Sequence, residues 1–255
     1  MSNDKFSTPD ISHLRQEDFE HVYEPAEDTF LFLDALVQEH DFLEKRKPTC
    51  CVEVGCGSGM CITFLAKMLG TSAAMYWCTD INPLAALAAK RTAQQNGVTV
   101  IPVLTDLVEC LKPRLKHQVD VLLFNPPYVV TPPEEVGSSG IEASWAGGYH
   151  GREVMDRLFP QIPDILSPQG IFYLVIIKEN KADEIEGIMK GYGYKMWTLL
   201  ILSSTGFILW DSSQTLGIDV FSNILFPNVQ VFLWAVEWSP YRIADEKAHS
   251  HNVIL

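Results

Sequence analysis

Apolar residues gather in short runs separated by glycine, proline or charged breaks, and the runs alternate with helix-like stretches. Cys50 to Val54 reads as a strand. Gly55-Cys56-Gly57-Ser58-Gly59 follows, then a helix from about Met60 to Leu69. Ala74 to Cys78 predicts a second strand ending at Asp80, and Pro83 to Asn96 an alanine-rich helix closed by Gly97. Val98 to Leu104 is a third strand ending near Asp106, and Val119 to Phe124 a fourth. A helix over about 151–166, a strand at Ile171 to Ile177, a helix at Asp183 to Lys190 and a strand at Tyr194 to Leu202 complete the series. Strands alternating with helices imply parallel pairing, hence an α/β fold with a doubly wound, mostly parallel sheet. Upstream, residues 1 to about 22 are polar, with a weak helical turn near His13 to Glu20. Phe30, Leu31, Leu33, Leu36 and Val37 then fit one apolar face of a helix with Glu27 and Asp28 at its positive end. Residues 39–48 are charged, end in Pro48 and read as a loop.

The fourth strand runs into Asn125-Pro126-Pro127-Tyr128. Two prolines remove two ladder donors and fix φ, so the chain must leave the sheet there. The corner presents one carboxamide, backbone carbonyls and a flat ring. The Asn125 side-chain oxygen and the Pro126 carbonyl can each accept an N–H, and the Tyr128 ring can stack on a plane, which suits a planar NH2-bearing substrate. A proline-terminated strand with an Asn in its turn is the plainer account of the same residues.

Ligands of open α/β sheets bind beyond the carboxyl ends of the strands, and the other polar positions of interest fall there. The glycine loop opened by Gly55 has spacing G-x-G-x-G rather than G-x-G-x-x-G, which demotes a dinucleotide and favours a nucleoside without phosphates. Asp80 is placed to accept two ribose hydroxyls, because Asn82, next to Pro83, is the better helix cap. Asp106 is placed to accept an adenine amine while the Leu107 N–H donates to the ring; a solvated acid is the alternative. Glu53 lies inside an apolar strand and requires an ammonium group or a backbone donor. Ribose, adenine, a charged amino-acid tail and no phosphate describe S-adenosylmethionine.

Composition narrows the partners. The chain has 255 residues with 47% apolar content, enough for one large core. A net charge of −13 disfavours a nucleic-acid substrate, and no basic patch offsets it. Six cysteines include no C-x-x-C pair, so no metal site is expected. The polar first residues lack an apolar signal core, and no 18-residue apolar run exists, so no membrane span is expected. A reducing compartment, cytoplasm or nucleus, is the expected location.

The glycine loop, Asp80, Asp106 and Asn125-Pro126-Pro127-Tyr128 resemble Rossmann-like class I methyltransferases acting on planar nitrogens. Tyr23-Glu-Pro-Ala-Glu-Asp-Thr29, the Asn125–Pro132 segment, Gly140-Ile-Glu-Ala-Ser-Trp-Ala-Gly-Gly148 and Gly151-Arg-Glu-Val-Met-Asp-Arg157 resemble more closely the eukaryotic HemK-like protein glutamine methyltransferases. The resemblance covers residues 20 to about 200. It implies methylation of the glutamine in the Gly-Gly-Gln loop of the class 1 translation release factor. It also implies that Thr29, Glu53, Gly55, Asp80, Asp106, Leu107 and Asn125 contact S-adenosylmethionine and that Asn125, with Pro126 and Tyr128, holds the substrate amide. A small zinc-binding activator subunit is implied as partner, and the apolar edge strand 98–104 is a surface that such a partner would cover.

The resemblance ends at about Ser203, which divides the chain into a methyltransferase domain, 1–202, and a divergent tail, 203–255. Asn228 to Trp238 has strand propensity and is a candidate for the family's last strand. An alternative carboxyl terminus is the stronger expectation, with the sheet lacking that strand and an apolar tail exposed. The other functions open to these residues are adenine-N6 methylation of nucleic acid, protein lysine methylation, and a non-catalytic variant that only binds the activator.

Overall fold

A computed structural model gives the fold, and it describes residues 6–138, 140–203, 206–211, 214–218 and 229–236. In chain order the elements begin with helices α1 (Glu27–Gln38) and α2 (His40–Arg46), strand β1 (Cys50–Val54), helix α3 (Met60–Leu69), strand β2 (Met75–Asp80) and helix α4 (Pro83–Gln95). Strand β3 (Ile101–Leu104), helix α5 (Lys112–Leu115), strand β4 (Val119–Phe124), and helices α6 (Met155–Leu158) and α7 (Ile162–Ile165) follow. Strand β5 (Leu166–Ile177), helix α8 (Ala182–Gly191) and strands β6 (Tyr194–Ser203), β7 (Gly206–Asp211), β8 (Gln214–Ile218) and β9 (Val229–Val236) complete the order.

One nine-stranded sheet runs β3-β2-β1-β4-β5-β9-β6-β7-β8. The first five of these strands pair in parallel. All five residues of β1 are buried, as expected of a strand covered on both faces. The order reverses between β1 and β4, which opens a crevice at their carboxyl ends.

Local chemistry explains the boundaries. Asn82 caps α4 by accepting the Leu84 N–H at 2.9 Å, with Pro83 in the first turn. Gly59 precedes α3 at φ +76°, and a Cβ there would lie 2.5 Å from Ala89 Cα, so α3 and α4 approach as closely as they do only across a glycine.

Three expectations from the sequence need correction. The charged stretch 39–48 is not a loop: Phe42 and Leu43 are buried, and α2 forms around them until Lys47 turns left-handed at φ 50°. The helix expected over 151–166 is broken into short turns, because Pro160 and Pro163 each restart a helical turn within it. The sheet does not lack a strand beside β5. β9, from the stretch set apart as a tail, lies antiparallel between β5 and β6, and its Phe232 is buried. Two boundaries also move. β3 starts at Ile101 rather than Val98, whose N–H is bonded back to Ala93 at the end of α4, and β5 starts five residues early at Leu166. No helix among the described residues is long and apolar enough to cross a membrane.

Candidate active site

A cavity of about 500 Å³ opens at the carboxyl ends of β1, β2 and β4. Its wall contains all nine positions singled out in the sequence: Thr29, Glu53, Gly55, Asp80, Asp106, Leu107, Asn125, Pro126 and Tyr128. The glycine loop forms one side, with Gly55, Gly57 and Gly59 at φ +65°, +50° and +76°. That left-handed run brings bare backbone to the cavity. Asp80, at the end of β2, accepts the Gly57 N–H at 3.0 Å and the Asn82 N–H at 2.8 Å, one on each oxygen. Each oxygen keeps a further lone pair. Burial raises its carboxyl above the ordinary carboxylate range, against the pull of these N–H groups.

Glu53 is 3% exposed and accepts the Ile62 N–H from the first turn of α3 at 3.0 Å. The sequence left an ammonium or a backbone donor open for it; the fold supplies the backbone donor. Burial pushes its carboxyl up to about 8, opposed by that N–H and by Cys61.

On the far side, Asn125 Nδ2 donates to Asp28 Oδ2 at 2.8 Å, and the Tyr128 hydroxyl donates to the same oxygen at 3.1 Å. Asp28 Oδ1 accepts the Thr29 N–H at 2.8 Å and the Tyr23 hydroxyl at 3.2 Å. Asn125 Oδ1 is buried and has no hydrogen-bond partner among the described residues. An unpaired buried amide oxygen is costly, and a bound donor is what would relieve it.

Known proteins resemble this chain in sequence. Residues 29–138 match the methyltransferase small domain. Methyltransferase HEMK2 of Homo sapiens is 57% identical over 200 residues, 78% of this chain and 92% of that protein. The eRF1 methyltransferase catalytic subunit mtq2 of Schizosaccharomyces pombe is 40% identical over 202 residues, 74% and 86% of the two chains. The chain belongs to the HEMK2 family of methyltransferases. Among solved structures, the Mtq2–Trm112 complex of E. cuniculi superposes with a TM-score of 0.58 at 24% identity, over 85% of this chain and 99% of that one. A ribosomal protein L11 methylase from Lactobacillus delbrueckii gives 0.52 at 14% identity, covering 85% and 82%. Both share the α/β fold.

In this HEMK2-family chain two side chains do not behave as the sequence led us to expect. Asp106 is partly engaged: Arg157, from α6, forms an ion pair with its Oδ2 at the cavity rim. Tyr128 is not simply a stacking surface, since its hydroxyl is tied to Asp28 and the residue is only 4% exposed. Other residues of the site were missed. Asp28 was assigned only to the helix dipole, although its place in the Tyr23–Thr29 motif was a signal. Asn180, fully buried beyond β5, donates from Nδ2 to the carbonyls of Tyr128 and His150, both at 2.8 Å, and accepts the Ile177 N–H at 2.7 Å. No motif in the sequence pointed to it. Gly140, Ile141, Ala143, Ser144 and Trp145 line the cavity as well and were present only within a stretch of family resemblance.

Proposed function

We propose that this chain transfers a methyl group from S-adenosylmethionine to the side-chain amide nitrogen of a protein glutamine, in the Gly-Gly-Gln loop of the class 1 translation release factor. The observation that carries the reading is the buried Asn125 Oδ1, without a hydrogen-bond partner among the described residues, next to Pro126 in the cavity wall. The names of the relatives support it: mtq2 of S. pombe is described as an eRF1 methyltransferase catalytic subunit.

The cavity fits the cofactor by its donor set. Asp80 has lone pairs for a ribose, and the glycine loop admits a close ligand. Thr29, Glu53, Gly55, Asp80, Asp106 and Leu107 would hold it. Bound there, S-adenosylmethionine supplies a methyl group made electrophilic by its sulfonium. A carboxamide nitrogen is a weak nucleophile because its lone pair is delocalised. Asn125 Oδ1 and the Pro126 carbonyl accept its two hydrogens, orient the nitrogen and favour the positive, pyramidal form that develops during transfer. The proton then leaves to water, and no side chain acting as a strong base is required.

A small activator subunit is part of this proposal, supported by the Mtq2–Trm112 neighbour. The edge of β3, unpaired among the described residues, is the surface for it: Ile101 and Leu104 are exposed there, Leu104 by 57%.

The test is transfer of labelled methyl, with the activator present, to a Gly-Gly-Gln protein, to DNA and RNA, and to a lysine-bearing peptide. Label on the Gly-Gly-Gln protein that Asn125→Ala abolishes, with cofactor affinity kept within a few-fold, is the expected result. Label on nucleic acid alone, or full turnover by Asn125→Ala, would overturn the proposal.

A further inference from the structure

We propose that Asp28 fixes the polarity of the Asn125 carboxamide, so that the site takes an N–H2 group and rejects its oxygen counterpart, discriminating glutamine from glutamate. The inference rests on the glutamine reading above and adds the residue that decides it.

The two ends of a carboxamide have nearly the same shape, so packing cannot choose which end of Asn125 turns toward the substrate. Hydrogen bonding can. Asp28 is 2% exposed, and every hydrogen bond it makes is one it accepts. Oδ1 takes the Thr29 N–H at 2.8 Å and the Tyr23 hydroxyl at 3.2 Å. Oδ2 takes the Tyr128 hydroxyl at 3.1 Å and Asn125 Nδ2 at 2.8 Å. The Thr29 N–H and the Tyr23 and Tyr128 hydroxyls all donate to Asp28, which presents acceptors to its surroundings, so the NH2 end of Asn125 is the end that faces it. Were the amide reversed, two oxygens would meet at 2.8 Å and the Asn125 donors would be left buried.

The rest of the corner agrees. Pro126 and Pro127 contribute no N–H, so neither proline can donate to a substrate oxygen. With Asn125 Oδ1 held inward, the tetrapeptide presents acceptors. A glutamine NH2 completes them; a glutamate carboxylate places oxygen against oxygen and leaves buried acceptors unmet. Asp28 thus acts through Asn125 and is a positioning residue rather than a catalytic one.

Swapping the two side chains tests the idea. In Asp28→Asn the new NH2 must face either the Thr29 N–H or the Asn125 NH2. The second clash is relieved when Asn125 flips and points its donors into the site. When Asp28→Asn is combined with Asn125→Asp, the amide now on α1 again accepts from Thr29 and donates to the carboxylate now opening the tetrapeptide. The hydroxyls rotate to suit, and an oxygen faces the substrate as before. The total charge of the pair is unchanged.

With the activator-bound protein, Asp28→Asn is expected to lower kcat by about 100-fold or more while the S-adenosylmethionine Kd stays within a few-fold. The double variant is expected to recover most of that loss. Wild type should bind a Gly-Gly-Gln peptide at least about 100-fold more tightly than its Gly-Gly-Glu counterpart, a ratio that collapses in Asp28→Asn and returns in the swap. Should Asp28→Asn fail to fold, the peptide ratio in wild type and swap still decides. A substrate-free readout separates this inference from the glutamine reading. By 15N NMR, the Asn125 side-chain NH2, assigned by its loss in Asn125→Asp, should be protected from solvent exchange. Fast exchange of that NH2, wild-type kcat in Asp28→Asn, equal binding of the two peptides, or a folded swap no more active than the single variant would each overturn the proposal. Failure of wild type to methylate any Gly-Gly-Gln protein while the NH2 is protected would overturn the glutamine reading instead.

Discussion

Replacing Asn180 with Ala should loosen the catalytic corner without touching the cavity wall. The side chain is fully buried and ties three separate backbone pieces together: the Tyr128 carbonyl at the end of the tetrapeptide, the His150 carbonyl in the following turn, and the Ile177 N–H at the end of β5. The pieces are packed as closely as backbone allows. Gly151, at φ +68°, has no room for a Cβ, which would collide with the Tyr128 carbonyl and with Asn180 itself. Truncation removes three hydrogen bonds of about 1 kcal/mol net each, and a longer one to the Gly151 carbonyl at 3.4 Å, and leaves their partners buried, so the loss should be about 3–5 kcal/mol. That is a large share of the 5–15 kcal/mol or so that stabilises an ordinary domain. Asn180→Asp keeps the acceptor for Ile177 but sets oxygen against two carbonyls, and should not rescue. Urea unfolding measures the loss. Calorimetry below the melting transition should show S-adenosylmethionine affinity unchanged within a few-fold, because Asn180 is not part of the cavity wall, while methyl transfer falls. A stability loss under about 1 kcal/mol would show that the loops are held by other contacts and would refute the reasoning.

Two further outcomes follow from the carboxylates of the cavity. Asp80→Ala should weaken S-adenosylmethionine binding by about tenfold or more, equivalent to about 1.4 kcal/mol; wild-type affinity by calorimetry would remove Asp80 from the ribose role. Glu53, with an ordinary carboxyl pKa of 4.5 pushed up to about 8 by burial, keeps its proton in the folded chain where the unfolded chain has lost it. Its contribution to stability is therefore complete below pH 4.5, declines as pH rises toward 8 and is flat above, and urea midpoints of Glu53→Gln at pH 5 and pH 8 should show a smaller decline than wild type, equal declines refuting the assignment.

The parallel half of the sheet was legible because its signals are local. β1 and β4 are apolar runs interrupted only by Glu53 and Asp120, and β2 ends at Asp80, two residues before the helix cap Asn82. The misreadings share a cause: tertiary burial outweighed composition. The charged stretch His40–Arg46 is a helix because two of its residues, Phe42 and Leu43, have somewhere to pack. The apolar positions Met155, Leu158, Ile162 and Ile165 kept helical spacing through two prolines, so periodicity predicted one helix where backbone chemistry permits only pieces. β9 illustrates the reverse case. Its strand propensity was visible, but its place beside β5 depends on pairings made across more than fifty residues of chain, which no local pattern contains.

The site divides along the same line. Residues at strand ends could be found because the fold places them: once β1, β2 and β4 were assigned, Glu53, Asp80 and Asn125 had to meet at one crevice. The residues that set the orientation of Asn125 and Tyr128 come from outside that series. Asp28 lies 97 positions before Asn125, on a helix that precedes the first strand. Asn180 lies 52 positions after Tyr128, past the fifth. One fixes the side-chain ends of the tetrapeptide and the other its final carbonyl, so the corner is held at two points by elements that share no sequence signature with it. A turn built from two prolines is rigid by itself, but rigidity does not say which way an amide faces. That information enters with Asp28, which is why a chain with the tetrapeptide intact and Asp28 replaced should keep the shape of the site and lose its chemistry.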